Sequence, residues 1–231
     1  MYKLEMHTHS KGVSHCADIT PAEEVAVLKA AGYHGMVSTN HINLWTFYQM
    51  EDATWEEKVH HFMSGYNALK EAAGDDFDVL LGCEINLSES REKYLSNDYL
   101  VYGVTEDWLL KTGEMLHFTL KQLSDAVREA GLLLVQAHPF RYQTLIMQNS
   151  LLDGVEAFNG NAGHDSHDYL AYIWAKKHGL LMTSGSDLHH ADGNTNGGIL
   201  TEERIRDNQK LLEILRSGRY ELEHPEGVWN I

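Results

Sequence analysis

The histidines and acids of this sequence fall into short motifs whose residue types and spacing are typical of metal ligands. His7 and His9 stand two residues apart in HTH, and Asp187 and His189 stand two apart in SDLH. On an extended chain, residues two apart point the same way, so each pair can reach one ion. Imidazole and carboxylate groups are ligands for Zn, Mn or Fe at catalytic sites. The spacing therefore predicts metal-dependent chemistry.

Four more motifs carry the same side-chain types at separate points along the chain. They are SHC with His15, TNH with His41, GCE with Glu84 and AHP with His138. A single histidine is usually a packed or solvated residue, but an ordered set of this kind is not expected by chance. More than four ligands from different places indicate more than one ion, and adjacent metals are a common arrangement for phosphoester hydrolysis.

Short apolar runs that alternate with helix-like stretches must position these motifs. YKLEMHTH reads as the first strand, and ITPAEEVAVLKAAGY as the first helix, with Thr20 as N-cap and Pro21 in its first turn. About seven strands and at least five helices follow in this way, and the last helix spans TEERIRDNQKLLEILRSG. The alternation predicts an α/β fold with a largely parallel sheet or barrel.

The candidate ligands share one position on this map. Each lies at or near the C-terminal end of a predicted strand, except His15, which follows in the first loop. In a βα barrel those ends converge on one face, where active sites are built. We therefore expect residues far apart in the sequence to form one cluster.

Composition excludes several classes of protein. The 231 residues include 34 acidic and 18 basic side chains, a formal net charge of −16. A broad nucleic-acid-binding surface needs a basic stripe, and the sequence has none. No apolar run is long enough to span a membrane, and no secretory signal is recognisable. With only two cysteines, we predict a cytoplasmic protein with one domain, residues 1–231, and leave its oligomeric state open.

Taken together, the motifs from MHTHS to GSDLHH resemble those of the PHP domain, the family named for polymerase and histidinol phosphatase. The resemblance covers essentially the whole chain. It implies a distorted seven-stranded (β/α)7 barrel with a metal site at the C-terminal ends of the strands. It also implies hydrolysis of phosphoesters, including histidinol phosphate and nucleotide-type esters, with two or three divalent ions (Zn, Mn or Fe) as cofactors.

The same resemblance assigns the metal ligands residue by residue. It divides them among three positions: His7, His9, Glu84 and Asp187; His15, His41 and His189; and Glu84 with His138. Some members of the family add a histidine after the fourth strand, where this chain reads DYLVYGVTEDW. The third position therefore has fewer ligands, and the choice between two and three ions stays open.

Three residues are expected to act in catalysis, namely Arg141, Asp187 and His189. Arg141 lies three residues past the histidine of AHP, and its planar fork suits a phosphate oxygen pair, although pairing with a nearby acid is the alternative. Three other residues are expected to orient ligands or bind substrate: Glu156, Asn159 and Asn40. The aromatic residues of NLWTFYQM form either a substrate wall or a loop packed on the rim.

These observations predict a metal-dependent phosphoesterase acting on a small phosphate monoester or diester, a phosphometabolite or nucleotide, by a metal-activated hydroxide. One alternative is an amidohydrolase-like enzyme for an amide or lactone. That superfamily also uses HxH on a βα barrel, but a lysine near a strand end would then bridge the metals, and Glu84 takes that place here. A second alternative is a non-catalytic metal-binding PHP module, which the near-complete ligand set disfavours.

Overall fold

A computed structural model describes residues 1–87 and 96–229. Ten strands lie within these residues: β1 (Tyr2–Glu5), β2 (Gly35–Ser38), β3 (His41–Ile42), β4 (Asp78–Leu87), β5 (Asn97–Tyr102), β6 (Leu133–Gln136), β7 (Gly154–Asn159), β8 (Leu181–Gly185), β9 (Ile199–Thr201) and β10 (Glu221–Leu222). Six α-helices accompany them: α1 (Pro21–Ala30), α2 (Trp55–Ala73), α3 (Glu106–Thr112), α4 (Leu120–Glu129), α5 (Asp168–His178) and α6 (Asn208–Ser217).

Threonine caps set the starts of the long helices. Thr20 precedes α1 and Thr54 precedes α2, and each forms a capping box with the glutamate three residues on. The side chain accepts the otherwise unpaired N–H of the glutamate, whose carboxylate accepts the N–H of the cap in return. The start of α1 agrees with the sequence prediction.

The strands form one mixed sheet that curls into a nearly closed barrel. Its order is β10-β9-β1-β2-β4-β5-β6-β7-β8, with the short β3 paired to β4 outside this path. Pairing is parallel from β1 through β2 to β4 and from β6 through β7 to β8. The distorted barrel predicted from the sequence is therefore confirmed, and each of the seven predicted strand segments contains a strand.

Three features of the sequence prediction need correction. Strand β5 runs antiparallel to both of its neighbours, so the barrel is less parallel than expected. The last helix begins at Asn208, because Ile199–Thr201 pairs with β1 as a strand and Asp207 supplies the cap. Helix α3 was not predicted, since its seven residues give too short an apolar period to read.

The barrel closes where the chain leaves β1 and β8. Thr8 and Leu188 form a parallel bridge, and the N–H of His9 donates to the carbonyl of Leu188 at 2.9 Å. Below this bridge, the fully buried carboxylate of Glu5 accepts the N–H groups of His7 at 3.0 Å and Ser186 at 2.8 Å. The seam thus fixes the ends of two ligand-bearing strands relative to each other.

Apolar side chains fill the barrel and the layer beneath the helices. A large cluster contains Tyr99 and Tyr102 of β5, and a second cluster packs α1 against α2 through Leu28 and Leu69. Among residues 1–87 and 96–229, no helix combines the length and the apolar character needed to cross a bilayer. The core holds the strands that carry the polar cluster described next.

Candidate metal centre

The ends of four strands bring the predicted ligands to one face of the barrel. His7 and His9 follow β1, Glu84 lies in β4, His138 follows β6 and Asp187 follows β8. Each of these side chains is at most 4% exposed. Polar groups buried this deeply need partners, so their mutual distances decide what the cluster can hold.

The ligand atoms of three residues come close enough to surround a single ion. Nε2 of His7 lies 3.1 Å from Nε2 of His9 and 3.3 Å from Oδ1 of Asp187, and Nε2 of His9 lies 3.2 Å from the same oxygen. Oε2 of Glu84 lies 3.3 and 3.1 Å from the two nitrogens. Tetrahedral coordination with bonds of about 2.0–2.1 Å separates neighbouring ligand atoms by about 3.3–3.4 Å. The distances among His7, His9 and Asp187, which form one group of possible ligands, therefore have the size expected at a transition-metal site.

Contacts on the far side of three imidazoles, those of His7, His9 and His189, leave the inner nitrogen available. Nδ1 of His7 donates to Oε1 of Glu156 at 2.8 Å, and Nδ1 of His189 donates to the carbonyl of Asp187 at 2.8 Å. Nδ1 of His9 lies 3.2 Å from a serine hydroxyl group. Because Nδ1 carries the proton in these contacts, Nε2 keeps the lone pair that a metal ion requires.

Two further groups of possible ligands overlap with the first. One consists of His9, His41 and His189, the other of His41, Glu84 and Asp98, and the ligand atoms of each group lie within 4.8 Å of one another. His9 and His41 each belong to two groups. Shared members place the groups side by side, as adjacent ions in a multi-metal site would need.

The charges of the cluster are strongly coupled. Burial alone would lower the pKa of His7, but the carboxylates of Asp187, Glu156 and Glu84 raise it well above its usual range. Burial would raise the pKa of Glu84, but the imidazoles around it hold that pKa well below its usual range. The carboxylates thus stay ionised and favour positive charge between them. Protons on the imidazoles supply part of that charge, and a divalent cation would supply more.

Some buried polar atoms of the cluster have no hydrogen-bond partner among the described residues. They include Nδ1 of His41, Oε1 of Glu84 and Nδ1 of His138. Buried atoms left in this state are costly unless an ion or water completes them. The donor set, the distances within it and these unpaired atoms all fit a bound transition metal.

One predicted ligand lies apart from the cluster. His15 is exposed, and its ring stacks on Trp45 with centroids 6.2 Å apart. It belongs to none of the groups found among residues 1–87 and 96–229, and His9 takes its expected place beside His41 and His189. The geometry therefore does not support the metal-binding role predicted for His15.

Asp98 is a candidate ligand that the sequence did not reveal. It lies near the start of β5, and because β5 is reversed, this start reaches the face where the other strands end. Nη2 of Arg141 donates to Oδ2 of Asp98 at 3.1 Å, the acid pairing that was the alternative for Arg141. Both residues therefore border the group that contains Glu84.

The predicted supporting residues contact the ligands rather than replace them. Oε2 of Glu156 accepts the N–H of His138 at 3.0 Å and the amide group of Asn159 at 2.9 Å. Asn159 also donates to Oδ2 of Asp187 at 3.2 Å. Asn40 lies behind the loop after β1, where its side-chain oxygen accepts the N–H of Ser10 and the hydroxyl group of Ser14. These contacts orient the ligands from outside.

Two of the predicted ligands stand on strained backbone. His138 has φ +27° and Asp187 has φ +50°, in the left-handed region that residues other than glycine rarely adopt. Each lies two residues after the end of a strand, β6 for His138 and β8 for Asp187. Such strain persists only where the surroundings hold it, and it concentrates at functional sites.

Comparison with known proteins rests on structure alone. No protein-family profile and no curated protein sequence matches the chain. A two-domain protein from Bacteroides vulgatus that contains a predicted PHP-like metal-dependent phosphoesterase superposes with a TM-score of 0.66 at 15% identity, over 96% of this chain and 64% of the other. This chain has a PHP-type fold. It spans less than two thirds of the Bacteroides protein.

Two other structures with the same overall fold represent different activities. The lesion-specific endonuclease PfuEndoQ from Pyrococcus furiosus matches with a TM-score of 0.59 at 13% identity, over 96% of this chain and 57% of that one. An amidohydrolase from Chromobacterium violaceum, determined with bound sulfate and no metal, matches with a TM-score of 0.56 at 17% identity, over 98% and 99% of the two chains. The PHP-type fold alone therefore does not decide the reaction.

A buried acid beneath the PHP-type centre makes stability depend on pH. Glu24 of α1 is fully buried, and its Oε2 accepts the hydroxyl group of Ser10 at 2.6 Å. Burial raises the pKa of Glu24 to about 7, from an ordinary value of 4.5. The folded protein therefore keeps a proton on Glu24 that the unfolded chain has already released. This stabilising contribution is complete below pH 4.5 and is lost as the pH rises through 7.

We expect Glu24→Gln to remove that pH dependence. When the pH rises from 5 to 8, the free energy of unfolding of the parent protein should fall by roughly 3 kcal/mol more than that of the variant. Urea unfolding at each pH measures both values. Glu23→Gln is the matched control, since Glu23 lies on the same helix but is exposed and has a lowered pKa. A Glu24→Gln profile parallel to that of the parent would contradict the assignment.

Proposed function

We propose that the protein is a metal-dependent hydrolase, and specifically a phosphoesterase acting on a small phosphate monoester or diester. The observation that carries the proposal is the group of possible ligands formed by His7, His9 and Asp187, with Oε2 of Glu84 at 3.1 to 3.3 Å from both histidines. Its overlap with two more groups supports two or three ions in one centre. Nitrogen and oxygen ligands of this kind suit Zn, Mn or Fe.

When bound, such ions would lower the pKa of a water molecule and offset the negative charge of a phosphoryl group. The residues of the chain would orient the ligands and bind the substrate. Glu156 and Asn159 fix the orientation of the ligands through the contacts described above. Arg141, whose side chain is about 30% exposed, pairs with Asp98 through Nη2. The other N–H groups of its guanidinium group would bind phosphate oxygens.

His189 is suited to bind an ion rather than to donate a proton. Burial, together with the nearby His9, lowers the pKa of His189 to about 4, so that its ring is neutral near pH 7. Its Nδ1–H is directed to the carbonyl of Asp187. A neutral imidazole with a free Nε2 is the form that coordinates metal.

We also propose that residues 1–231 act as one hydrolase domain in the cytoplasm. Both cysteines, Cys16 and Cys83, are free thiols, as a reducing compartment favours. The negative charge of the chain favours a small substrate over a long nucleic acid, because a duplex would need a basic surface.

Metal analysis and a substrate screen together test the proposal. Protein purified without chelators should retain about two or three transition ions per chain and hydrolyse phosphate esters when Mn or Zn is supplied. Turnover should be lost in His9→Ala and kept in His60→Ala, a control at an exposed histidine of α2. A folded protein that binds no metal would contradict the proposal.

The screen should also include amides, lactones and a lesion-containing DNA duplex, because one structural neighbour is an amidohydrolase and another an endonuclease. Turnover confined to amides or lactones would replace the phosphoesterase proposal with the amidohydrolase one. Turnover confined to DNA would show that the phosphodiester is part of a polymer.

A further inference from the structure

A cavity of about 540 Å³ adjoins the candidate metal centre, between the loop after β1 and the loop after β3. Ser14 belongs to both places. It is among the residues that line the cavity, and its hydroxyl group accepts the N–H of His41 at 3.0 Å and lies 3.2 Å from Nδ1 of His9. The cavity therefore adjoins a residue that contacts the candidate ligands.

The cavity borders the loop after His41, one of the more accessible candidate ligands. The side chain of His41 is 15% exposed, whereas those of His7 and His9 are fully buried. Thr46 lines the cavity and donates its hydroxyl group to the carbonyl of His41 at 3.1 Å. A molecule whose reacting group approaches the ligands past His41 would leave the rest of its bulk in this cavity.

The charge of the cavity differs from that of the protein as a whole. None of the described residues that line it is acidic, although the chain carries a net charge of −16. Its basic residues are Lys11, His15 and His61. A neighbouring cavity of about 500 Å³, beyond Trp45, is lined by Glu51 and Glu114 as well. An anionic ligand would therefore be repelled less in the first cavity.

One wall of the cavity is a large aromatic ring that faces solvent. Trp45 is 68% exposed, and Tyr48 beside it is 60% exposed. The Trp45 ring lies within 17° of parallel to the ring of His15, an offset stack that holds it in place. An exposed, preorganised indole next to a polar cluster is suited to stack against a flat ligand.

We propose that this cavity receives the organic group of the phosphoester and that Trp45 selects esters whose organic group carries a flat aromatic ring. The inference rests on the proposed function and narrows its substrate class. The phosphate would face the ligands past His41, while the ring would stack on Trp45. Trp45 is then a specificity residue that takes no part in bond breaking.

Benzyl phosphate and cyclohexylmethyl phosphate test this directly. Both release a primary alcohol, so they differ mainly in whether the six-membered ring is flat and aromatic. We expect Trp45→Ala to lower kcat/KM for benzyl phosphate by about 5- to 30-fold, the value of one aromatic stack, and to lower it much less for cyclohexylmethyl phosphate. Tyr169→Ala, which removes an exposed aromatic side chain from α5, should change neither value.

A binding measurement separates this inference from the proposed function. Benzylphosphonate, which cannot be hydrolysed, should bind metal-loaded protein more tightly than cyclohexylmethylphosphonate in calorimetry, and Trp45→Ala should abolish the difference. Turnover of both esters with equal efficiency, unaffected by Trp45→Ala, would overturn the ring selectivity and leave the phosphoesterase intact. Selective phosphonate binding without turnover of any phosphoester would support the cavity and reject the reaction.

Discussion

Replacing Glu84 with glutamine is expected to remove metal from the protein and to lower kcat/KM for a phosphoester by at least about 100-fold. Oε2 of Glu84 lies 3.0 to 3.3 Å from nitrogens of three histidines, and Oε1 lies 3.4 Å from a fourth. Loss of a residue that only supports a ligand typically costs 10- to 100-fold in metal affinity or activity, so loss of a central ligand should cost at least as much.

Elemental analysis and steady-state kinetics on the same preparations measure both effects. Glu114→Gln is the matched control, because Glu114 pairs with Lys58 at 3.1 Å, away from the cluster, and its side chain is 43% exposed. Glutamine has nearly the volume of glutamate, so circular dichroism should show an intact fold in both variants. A Glu84→Gln protein with a full complement of metal would show that this carboxylate is not a ligand.

Replacing Glu5 with alanine is expected to lower the free energy of unfolding by about 3–5 kcal/mol, and the melting temperature by roughly 10 °C. The Glu5 carboxylate accepts the N–H groups of Met6, His7 and Ser186 and the hydroxyl group of Ser186, at 2.6 to 3.0 Å. Alanine would leave these donors buried without a partner, which costs about 1–3 kcal/mol for each one that water cannot reach.

Denaturant unfolding of metal-free protein measures this effect separately from metal binding. Glu223→Ala is the matched control. Glu223 forms a partly exposed ion pair with Lys3, which lies in the same strand as Glu5, and this pair should contribute at most about 1 kcal/mol. Equal stability of the Glu5→Ala and Glu223→Ala proteins would contradict a structural role for the Glu5 carboxylate.

The main ligands could be predicted because their signal is local. A histidine pair or an acid at the end of an apolar run is visible in a few residues, and parallel strands then bring such ends together. His7, His9, Glu84 and Asp187 meet as the motifs indicated. The barrel itself was predictable for the same reason, since alternation of strands and helices repeats along the chain.

The parts that sequence reasoning missed depend on long-range pairing. Asp98 lies at the start of its strand, and a residue there reaches the site only because β5 runs antiparallel to its neighbours. Glu5 reads as an ordinary polar position in a short strand, and its role requires Ser186 to lie beside it. The position of His15 depends on Trp45, with which it stacks across two loops. None of these contacts can be recognised from a short stretch of sequence.

The closure of the barrel at Thr8 and Leu188 has a consequence for how the protein is made. On the ribosome, His7 and His9 emerge early, whereas Asp187 and His189 emerge only after most of the strands. The proposed centre therefore cannot be completed until late in synthesis, when the residues after β1 and β8 meet. The metal supply at that moment, rather than at the start of translation, would decide which ion the nascent enzyme acquires.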